Sequence, residues 1–302
     1  MFRLGYNTNG LAHHRVVDAL RLLAELGYEG VALTPDAGRL DPYDLDADHV
    51  AEVRRWSEEL GLGLAIETGS RFLLDAKRKH FPTLLEEEAS DRARRVDFLE
   101  RCVDLAAELG ADVVSLWAGA APDGTIGDRT EIPPGVPGTA VKEAERARDE
   151  LWDRLCEGLV PVLARGRAQG VRIAFEPEPG MFVERPAGYE ELLRRLEAEG
   201  DDLGLCLDVG HLLCSGDLPV GDVIRRYARR LAMVHLDDVK DGVHEHRMFG
   251  SGDLDLPGTL GALLEVGYDG MAAVELSRDS HRGAEAAGEA LGHLRRALTA
   301  GV

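Results

Sequence analysis

Four apolar segments in the second half of the chain each end in ionisable side chains. The segments FEPEP, LDVGH, VHLDD and VELS supply, in turn, Glu176 and Glu178, Asp208 and His211, His235 with Asp237 and Asp238, and Glu275. A carboxylate or imidazole at the end of an apolar run is costly to bury without a partner. If the four segments converge in the fold, these side chains form one polar cluster.

Two or three carboxylates with one or two imidazoles have the chemistry of a divalent metal site. Oxygen and nitrogen ligands suit Mn²⁺, Mg²⁺, Co²⁺ or Zn²⁺, and a set without thiolates disfavours softer metals. A cation would also offset the repulsion among the carboxylates. A single carboxylate at a strand end is commonly a helix cap or a loop charge, so the prediction depends on four consecutive segments showing the same pattern.

The elements that must position these residues form a repeat along the whole chain. Short apolar runs occur at residues 3–7, 30–34, 62–68, 112–118, 171–177, 203–209, 232–238 and 271–277. They are mostly apolar on both faces, which is typical of parallel strands covered by helices. Stretches with helical periodicity lie between them, and several end in a glycine, such as Gly27, Gly61 and Gly110. The repeat predicts an α/β fold, a (β/α)₈ TIM barrel forming one domain over residues 1–302.

Three long connections follow predicted strands, at residues 69–90, 119–144 and 238–256. The second contains four prolines and several glycines, and we predict an irregular conformation for it. All three precede helices, which places them on the barrel face where the carboxyl ends of the strands meet and active sites form.

Composition limits the classes of partner and the location. A formal net charge of −20 argues against nucleic acid, because a DNA- or RNA-binding surface needs clustered basic residues. No run of about 18 apolar residues occurs, and the first residues lack the pattern of a secretory signal, so we expect a cytoplasmic protein without a membrane partner. The four cysteines form no CxxC pair and are expected to be buried small side chains.

The strand-end motifs resemble those of the xylose-isomerase-like barrels. The resemblance lies in Glu176-Pro177 after the fifth strand, Asp208-x-x-His211 after the sixth, His235-x-x-Asp238 on the seventh and Glu275 on the eighth. That superfamily includes ketose 3-epimerases, hydroxypyruvate isomerases, inosose dehydratases and endonuclease IV. The resemblance covers nearly the whole chain, is strongest from residue 171 onward, and is more specific for the fold and the metal site than for the reaction.

The resemblance implies a ligand set and a mechanism. Glu176, Asp208, His235 and Glu275 would bind one divalent metal ion, with Mn²⁺ the first expectation and Zn²⁺, Mg²⁺ or Co²⁺ as alternatives. Glu176 and Glu275 would also shuttle protons on opposite faces of the substrate, and His211 would contact a substrate oxygen. The reaction would pass through an enediolate, with the metal as Lewis acid.

Some positions depart from the family patterns. The further substrate-binding Glu of the ketose epimerases has its nearest candidate here in Glu184, at a different spacing. His244 and His246 occupy places comparable to zinc ligands of endonuclease IV, whose early-strand histidines are replaced by Glu67 and Trp117. We therefore expect one metal.

Other side chains are predicted to contact substrate or to support the ligands. The predicted substrate contacts, besides His211, are His246, Arg247, Glu67, Trp117 and Arg278. Glu178 is a candidate hydrogen-bond acceptor for a ligand histidine, and Arg71 could reach the cavity. The basic run at residues 77–80 is either a solvated surface segment or an anchor for a phosphate or carboxylate.

These features favour a metal-dependent isomerase or epimerase acting on a small sugar, sugar phosphate or cyclitol. A dehydratase of an inosose-like keto-cyclitol is the second hypothesis, because the same intermediate can expel a hydroxyl group. A phosphodiesterase like endonuclease IV and a non-catalytic barrel are less favoured. The resemblance also implies a homodimer or homotetramer.

Overall fold

The computed structural model describes residues 1–128 and 138–300, and it contains a closed barrel of parallel strands. Its strands are β1 (Arg3–Asn7), β2 (Gly30–Leu33), β3 (Gly63–Glu67), β4 (Val113–Leu116), β5 (Arg172–Phe175), β6 (Gly204–Asp208), β7 (Leu231–Leu236), β8 (Asp238–Lys240), β9 (Val243–Arg247) and β10 (Met271–Val274). The barrel order is β1-β10-β7-β6-β5-β4-β3-β2, and β8 pairs with β9 in a separate two-stranded sheet. Each of the eight predicted segments overlaps one barrel strand, so the predicted (β/α)₈ barrel is confirmed.

Helices alternate with the barrel strands, and the sequence shows where several of them end. They are α1 (Val16–Leu26), α2 (Ala47–Leu60), α3 (Ala89–Leu109), α4 (Gly138–Gln169), α5 (Pro186–Leu196), α6 (Val209–Ser215), α7 (Val220–Tyr227), α8 (Leu256–Glu265) and α9 (Gly283–Ala300). Gly27 and Gly110 end α1 and α3 with φ of 99° and 72°, a left-handed conformation that glycine adopts without strain. Within the described residues, no helix is long and apolar enough to cross a membrane.

The side chains below the carboxyl ends of the strands are mostly small. Ala65, Ala174, Cys206, Met233 and Ala273 belong to one buried cluster, separate from the larger core that includes the helices. Each lies two residues before a polar residue at the end of its strand, respectively Glu67, Glu176, Asp208, His235 and Glu275. Since side chains alternate along a strand, each pair faces the same side. The cluster therefore forms the floor on which the polar residues stand.

Two of the three long connections contain regular secondary structure that was not predicted from the sequence. Residues 129–137 of the second connection lie outside the described residues, but α4 begins at Gly138, so the irregular conformation predicted for residues 138–144 is wrong. The sequence after the last proline is rich in Ala, Glu, Lys and Arg, which are strong helix formers. In the third connection β8 and β9 form an antiparallel hairpin, with Asp238 opposite Arg247. Its polar sequence, HEHR, lacks the apolar alternation by which strands are usually predicted.

Candidate metal centre and active-site cavity

The four predicted metal ligands come from four neighbouring strands of the barrel. Glu176 directly follows β5, Asp208 is the last residue of β6, His235 lies in β7, and Glu275 directly follows β10. Asp208 and His235 are register partners across β6 and β7. Because these strands stand side by side in the order β5-β6-β7-β10, the barrel brings the four side chains to one point.

The ligand atoms of these four residues all lie within 4.8 Å of one another. His235 Nδ1 is 3.0 Å from Glu176 Oε1, 2.9 Å from Glu275 Oε2 and 4.0 Å from Asp208 Oδ2. All four residues are buried, and Glu275 keeps the most exposure, at 9%. The structure thus brings the predicted set together, and its role as a ligand set stays a prediction.

Asp208, one of the predicted metal ligands, also caps a helix. One carboxylate oxygen, Oδ1, accepts a hydrogen bond of 2.9 Å from the backbone N–H of His211 and so caps α6. The other, Oδ2, is buried and receives no hydrogen bond from any described residue. A buried carboxylate oxygen without a donor is unfavourable. A divalent cation among these oxygen and nitrogen atoms would satisfy it, so the residues present fit a metal ion.

The pKa values of the cluster residues also fit a metal ion. Burial, reinforced by the nearby Asp237, raises the pKa of Asp208 well above its ordinary value. Burial disfavours the charged form of His235, but Cys206, Glu176 and Glu275 outweigh it and raise the pKa of His235 well above the usual range. In the metal-free protein the cluster therefore holds protons, which a divalent cation would displace on binding.

A second group of nitrogens converges beside the first. His211 Nε2 lies 3.0 Å from His244 Nε2, which lies 3.1 Å from His246 Nε2. His211 Nδ1 is 3.0 Å from the carbonyl oxygen of Pro177, to which it can only donate, so Nε2 of neutral His211 carries a lone pair. His246 Nδ1 lies 2.7 Å from Asp237 Oδ2. The three histidines also satisfy the geometric condition for a metal-binding group.

Most of the predicted site residues line one cavity. Its lining includes Glu176 and Glu275 together with four of the predicted substrate contacts, Glu67, Trp117, His211 and His246. Arg247 and Arg278 are not among the lining residues. Both lie against Glu245, Arg247 through a hydrogen bond of 2.9 Å from Nε and Arg278 at 3.8 Å. Their contact with substrate stays a prediction.

Two glutamates near the cavity, Glu178 and Glu184, have predicted roles that stay predictions. Glu178 lines the cavity, and its carboxylate makes no hydrogen bond to a histidine among the described residues. Burial, followed by the charge of Glu176, raises the pKa of Glu178 to about 8. Glu184 is outside the cavity lining, and its Oε1 accepts a hydrogen bond of 2.8 Å from the backbone N–H of Gly180. Glu184 thus stabilises the loop after β5.

Two residues of the site were missed in the sequence, and both follow early strands. Asn9, after β1, donates a hydrogen bond of 2.8 Å from Nδ2 to Oε1 of Glu275. Thr34, after β2, places Oγ1 2.9 Å from Oε2 of Glu67. Burial and then the charge of Glu275 raise the pKa of Glu67 to about 8, so this carboxyl is largely protonated near neutral pH. The same rule, polar residues after an apolar run, would have found both.

Asp238 is a strand-end residue with a structural role. Its carboxylate is fully buried and accepts four backbone hydrogen bonds of 2.9 Å, from Val239, Gly250, Gly252 and Leu254. These bonds fold the end of the third long connection back onto the start of β8. Asp238 therefore holds the loop beside the hairpin that carries His244 and His246.

The barrel and this cavity belong to a known class of protein. The sequence profile of the xylose isomerase-like TIM barrel family matches residues 20–297, and the chain belongs to that family. The chain is 30% identical over 148 residues to an inosose dehydratase of Lacticaseibacillus casei, an alignment covering 43% of this chain and 49% of that protein. The chain thus spans about half the length of this curated relative.

Solved structures agree on the fold. A structure of L-ribulose 3-epimerase superposes with a TM-score of 0.74 at 20% identity, covering 100% of this chain and 96% of that one. A crystal structure of the IolI protein with a bound zinc atom gives a TM-score of 0.73 at 18% identity, covering 100% of this chain and 99% of that one. At these identities the likeness shows the fold alone.

Proposed function

We propose that this protein is a metal-dependent isomerase or epimerase that moves a proton at a carbon next to the carbonyl group of a small sugar or cyclitol. The observation that carries the proposal is the placement of Glu176 and Glu275. Both carboxylates line one cavity, and both lie within 3.0 Å of the same nitrogen of His235. Two carboxylates facing one substrate can serve as a base and an acid.

Glu176, Asp208, His235 and Glu275 would hold one divalent metal ion, as oxygen and nitrogen ligands of the type that Mn²⁺ or Zn²⁺ accepts. When bound, the ion supplies Lewis-acid polarisation of a carbonyl and a neighbouring hydroxyl group, which makes the adjacent C–H more acidic. The crystal structure of a zinc-containing protein with the same fold supports a metal of this class.

The chain's own residues would move the proton. One of the two glutamates removes it from the carbon beside the carbonyl, leaving an enediolate. The other glutamate returns a proton to the opposite face of that carbon, giving the epimer, or a proton returns to the neighbouring carbon, giving the isomer. Asn9 fixes the orientation of Glu275 through its hydrogen bond of 2.8 Å.

Neutral polar groups around the cavity would orient the substrate. His211 Nε2 carries a lone pair that faces His244 Nε2 at 3.0 Å, and a substrate hydroxyl group would donate to this lone pair in place of His244. The indole N–H of Trp117 is buried and has no acceptor among the described residues, so it can donate to a substrate oxygen. Glu67, with its raised pKa of about 8, can donate through its carboxyl proton near neutral pH.

A dehydratase is the second candidate, favoured by the 30% identity to an inosose dehydratase. Inososes are keto-cyclitols, and removal of the same type of proton gives the same type of enediolate. That intermediate then breaks the bond from the next carbon to its hydroxyl group, and a carboxylic acid of the site protonates the leaving group to water. The two reactions therefore share proton removal and differ only in the fate of the enediolate.

The products distinguish these candidates. We would incubate the Mn²⁺-loaded protein with ketopentoses, ketohexoses, their phosphates and keto-cyclitols, and identify the products by NMR. An epimer or an aldose–ketose pair supports the first proposal, and an unsaturated product lighter by one water supports the second. If the folded, metal-loaded protein converts none of them, both proposals are contradicted. Abasic DNA is included as a substrate, and we expect no incision.

A further inference from the structure

Two basic side chains line the cavity without any acidic partner. Arg71 and Lys79 follow β3 and face the same cavity as Glu176 and Glu275. Neither side chain makes an ion pair or hydrogen bond with any described residue. Their neighbour Arg78 behaves differently, since it bonds to Asp75 at 2.8 Å. In a protein with a formal net charge of −20, two uncommitted cations in one cavity are unusual.

Local hydrogen bonds fix the backbone of the segment that carries these two residues. The N–H of His80 donates a hydrogen bond of 2.7 Å to the carbonyl oxygen of Arg71, which closes the segment between them. His80 adopts a φ of 67°, a left-handed conformation that is uncommon for residues other than glycine. Its Nδ1 lies 3.0 Å from the carbonyl oxygen of Ser70, and its ring packs edge-on against Trp117. Strained backbone of this kind is often found at ligand-binding sites.

The two cations place positive charge in the wall of the cavity. Burial, followed by the charges of Lys79, Arg95 and Arg71, lowers the pKa of His80 to about 4. A third cation lies close by, because Arg71 also lines an adjoining cavity together with Arg39. Nε and Nη2 of Arg39 are buried and have no hydrogen-bond acceptor among the described residues.

The carboxylates that line the cavity do not account for these cations. No described carboxylate lies within ion-pair distance, 4.0 Å, of Arg71 or Lys79. The carboxylates Glu176 and Glu275 already face His235 and, under the proposed function, a metal ion. The uncommitted donors of Arg71 and Lys79 are therefore available to a ligand that carries a negatively charged group.

We propose that Arg71 and Lys79 form an anion subsite, and that the substrate is a sugar or cyclitol derivative bearing a carboxylate or phosphate group. This inference rests on the proposed function, since it places the reacting carbon at Glu176 and Glu275 and the anionic group at Arg71 and Lys79. Guanidinium and ammonium groups both bind such oxyanions through charge-assisted hydrogen bonds.

Calorimetric titration of the Mn²⁺-loaded protein tests the subsite with three related probes. Fructose is neutral, fructose 6-phosphate carries a phosphate, and fructuronate carries a carboxylate. We expect at least one anionic probe to bind about tenfold or more tightly than fructose, and the stronger of the two identifies the anion. Arg71→Gln and Lys79→Gln should each weaken that binding about 10- to 100-fold, because a hydrogen bond to a charged group contributes about that much affinity.

Three controls make the result specific. Lys77→Gln removes an exposed charge from the same segment but outside the cavity lining, and it should leave the affinity within about twofold. Arg71→Lys keeps the positive charge and should retain part of the affinity. This variant therefore tests the subsite even if Arg71→Gln alters folding. Equal affinity for neutral and anionic probes, or equal losses for Lys77→Gln and Arg71→Gln, would overturn the subsite.

The subsite and the proposed function can fail separately. If an anionic probe binds in an Arg71-dependent way but no probe exchanges a proton, the proposed chemistry fails and the subsite stands. If fructose and both anionic probes bind equally and one of them is epimerised, the subsite fails and the proposed chemistry stands.

Discussion

Glu176 and Glu275 approach the same nitrogen atom, Nδ1 of His235, from two strands that are not neighbours in the barrel, at 3.0 and 2.9 Å. Between β5 and β10 stand β6 and β7, which supply Asp208 and His235. Three carboxylates and one imidazole thus converge on a small volume, where positive charge is required to hold the carboxylates together. In the metal-free protein that charge comes from a proton on His235.

We predict that a divalent cation stabilises the protein through this cluster. After chelation, addition of Mn²⁺ or Zn²⁺ at about 100 times its dissociation constant should raise the free energy of unfolding by about 2.7 kcal/mol. Asp208→Asn should lose most of this gain, because Oδ2 of Asp208 is the buried oxygen without a hydrogen-bond donor. Thermal unfolding with and without metal measures both, and equal stabilisation of the variant would contradict the ligand assignment.

The number of metal ions bound per chain tests whether the neighbouring histidines hold a second ion. We expect one ion per chain by elemental analysis, and we expect His244→Ala to retain it, since His244 lies outside the four-residue set. A stoichiometry of two that falls to one in His244→Ala would show that His211, His244 and His246 hold a second ion.

We predict that the stability of the metal-free protein falls as pH rises toward 8, in part through Glu67. The pKa of Glu67 is raised from 4.5 to about 8 in the folded protein. Between these values the folded state binds more protons than the unfolded state, so raising the pH favours unfolding, by up to about 1.4 kcal/mol per pH unit for one group.

The measurement is urea unfolding of the metal-free protein at several pH values between 5 and 8. Glu67→Gln removes the titrating group and should flatten the dependence. Glu59→Gln, which changes an exposed glutamate on α2, should leave the slope unchanged. A slope that is the same in the wild type and in Glu67→Gln would show that Glu67 titrates normally.

The barrel and the four-residue cluster could be predicted from the sequence because each depends on a local pattern. An apolar run followed by a polar residue identifies the end of a strand, and the closure of a barrel brings such ends together whatever the loops do. Asn9 and Thr34 follow the same rule on β1 and β2, and applying it there would have completed the site.

The rest of the site depends on tertiary contacts that no local pattern records. His211 and His244 are 33 residues apart and meet only because the β8–β9 hairpin folds over the barrel. The hairpin itself is held by Asp238, whose carboxylate accepts hydrogen bonds from backbone N–H groups up to 16 residues away. The absence of acidic partners around Arg71 and Lys79 among the described residues is likewise a property of the packed loops, since acidic residues are abundant in the sequence.

We predict that Asp238→Ala destabilises the protein by about 3 kcal/mol or more, because it leaves one buried and three partly buried backbone N–H groups without their acceptor. Urea unfolding measures the loss, and limited proteolysis should show new cleavage between residues 248 and 254. Asp269→Ala, at an exposed position, is the control and should change stability by less than about 0.5 kcal/mol. A similarly small effect of Asp238→Ala would show that the loop folds without this carboxylate.

The most direct test of the central claim is hydrogen exchange into substrate in D₂O. The Mn²⁺-loaded wild type and Glu275→Gln would be incubated with the best-binding probe or converted substrate, and deuterium at the carbon beside the carbonyl would be followed by NMR. We predict metal-dependent incorporation in the wild type and a rate about 10² to 10⁴ lower in Glu275→Gln, the usual contribution of a general acid or base, with Glu59→Gln unaffected. Incorporation at the wild-type rate in folded, metal-loaded Glu275→Gln would contradict the role of Glu275 as a proton carrier.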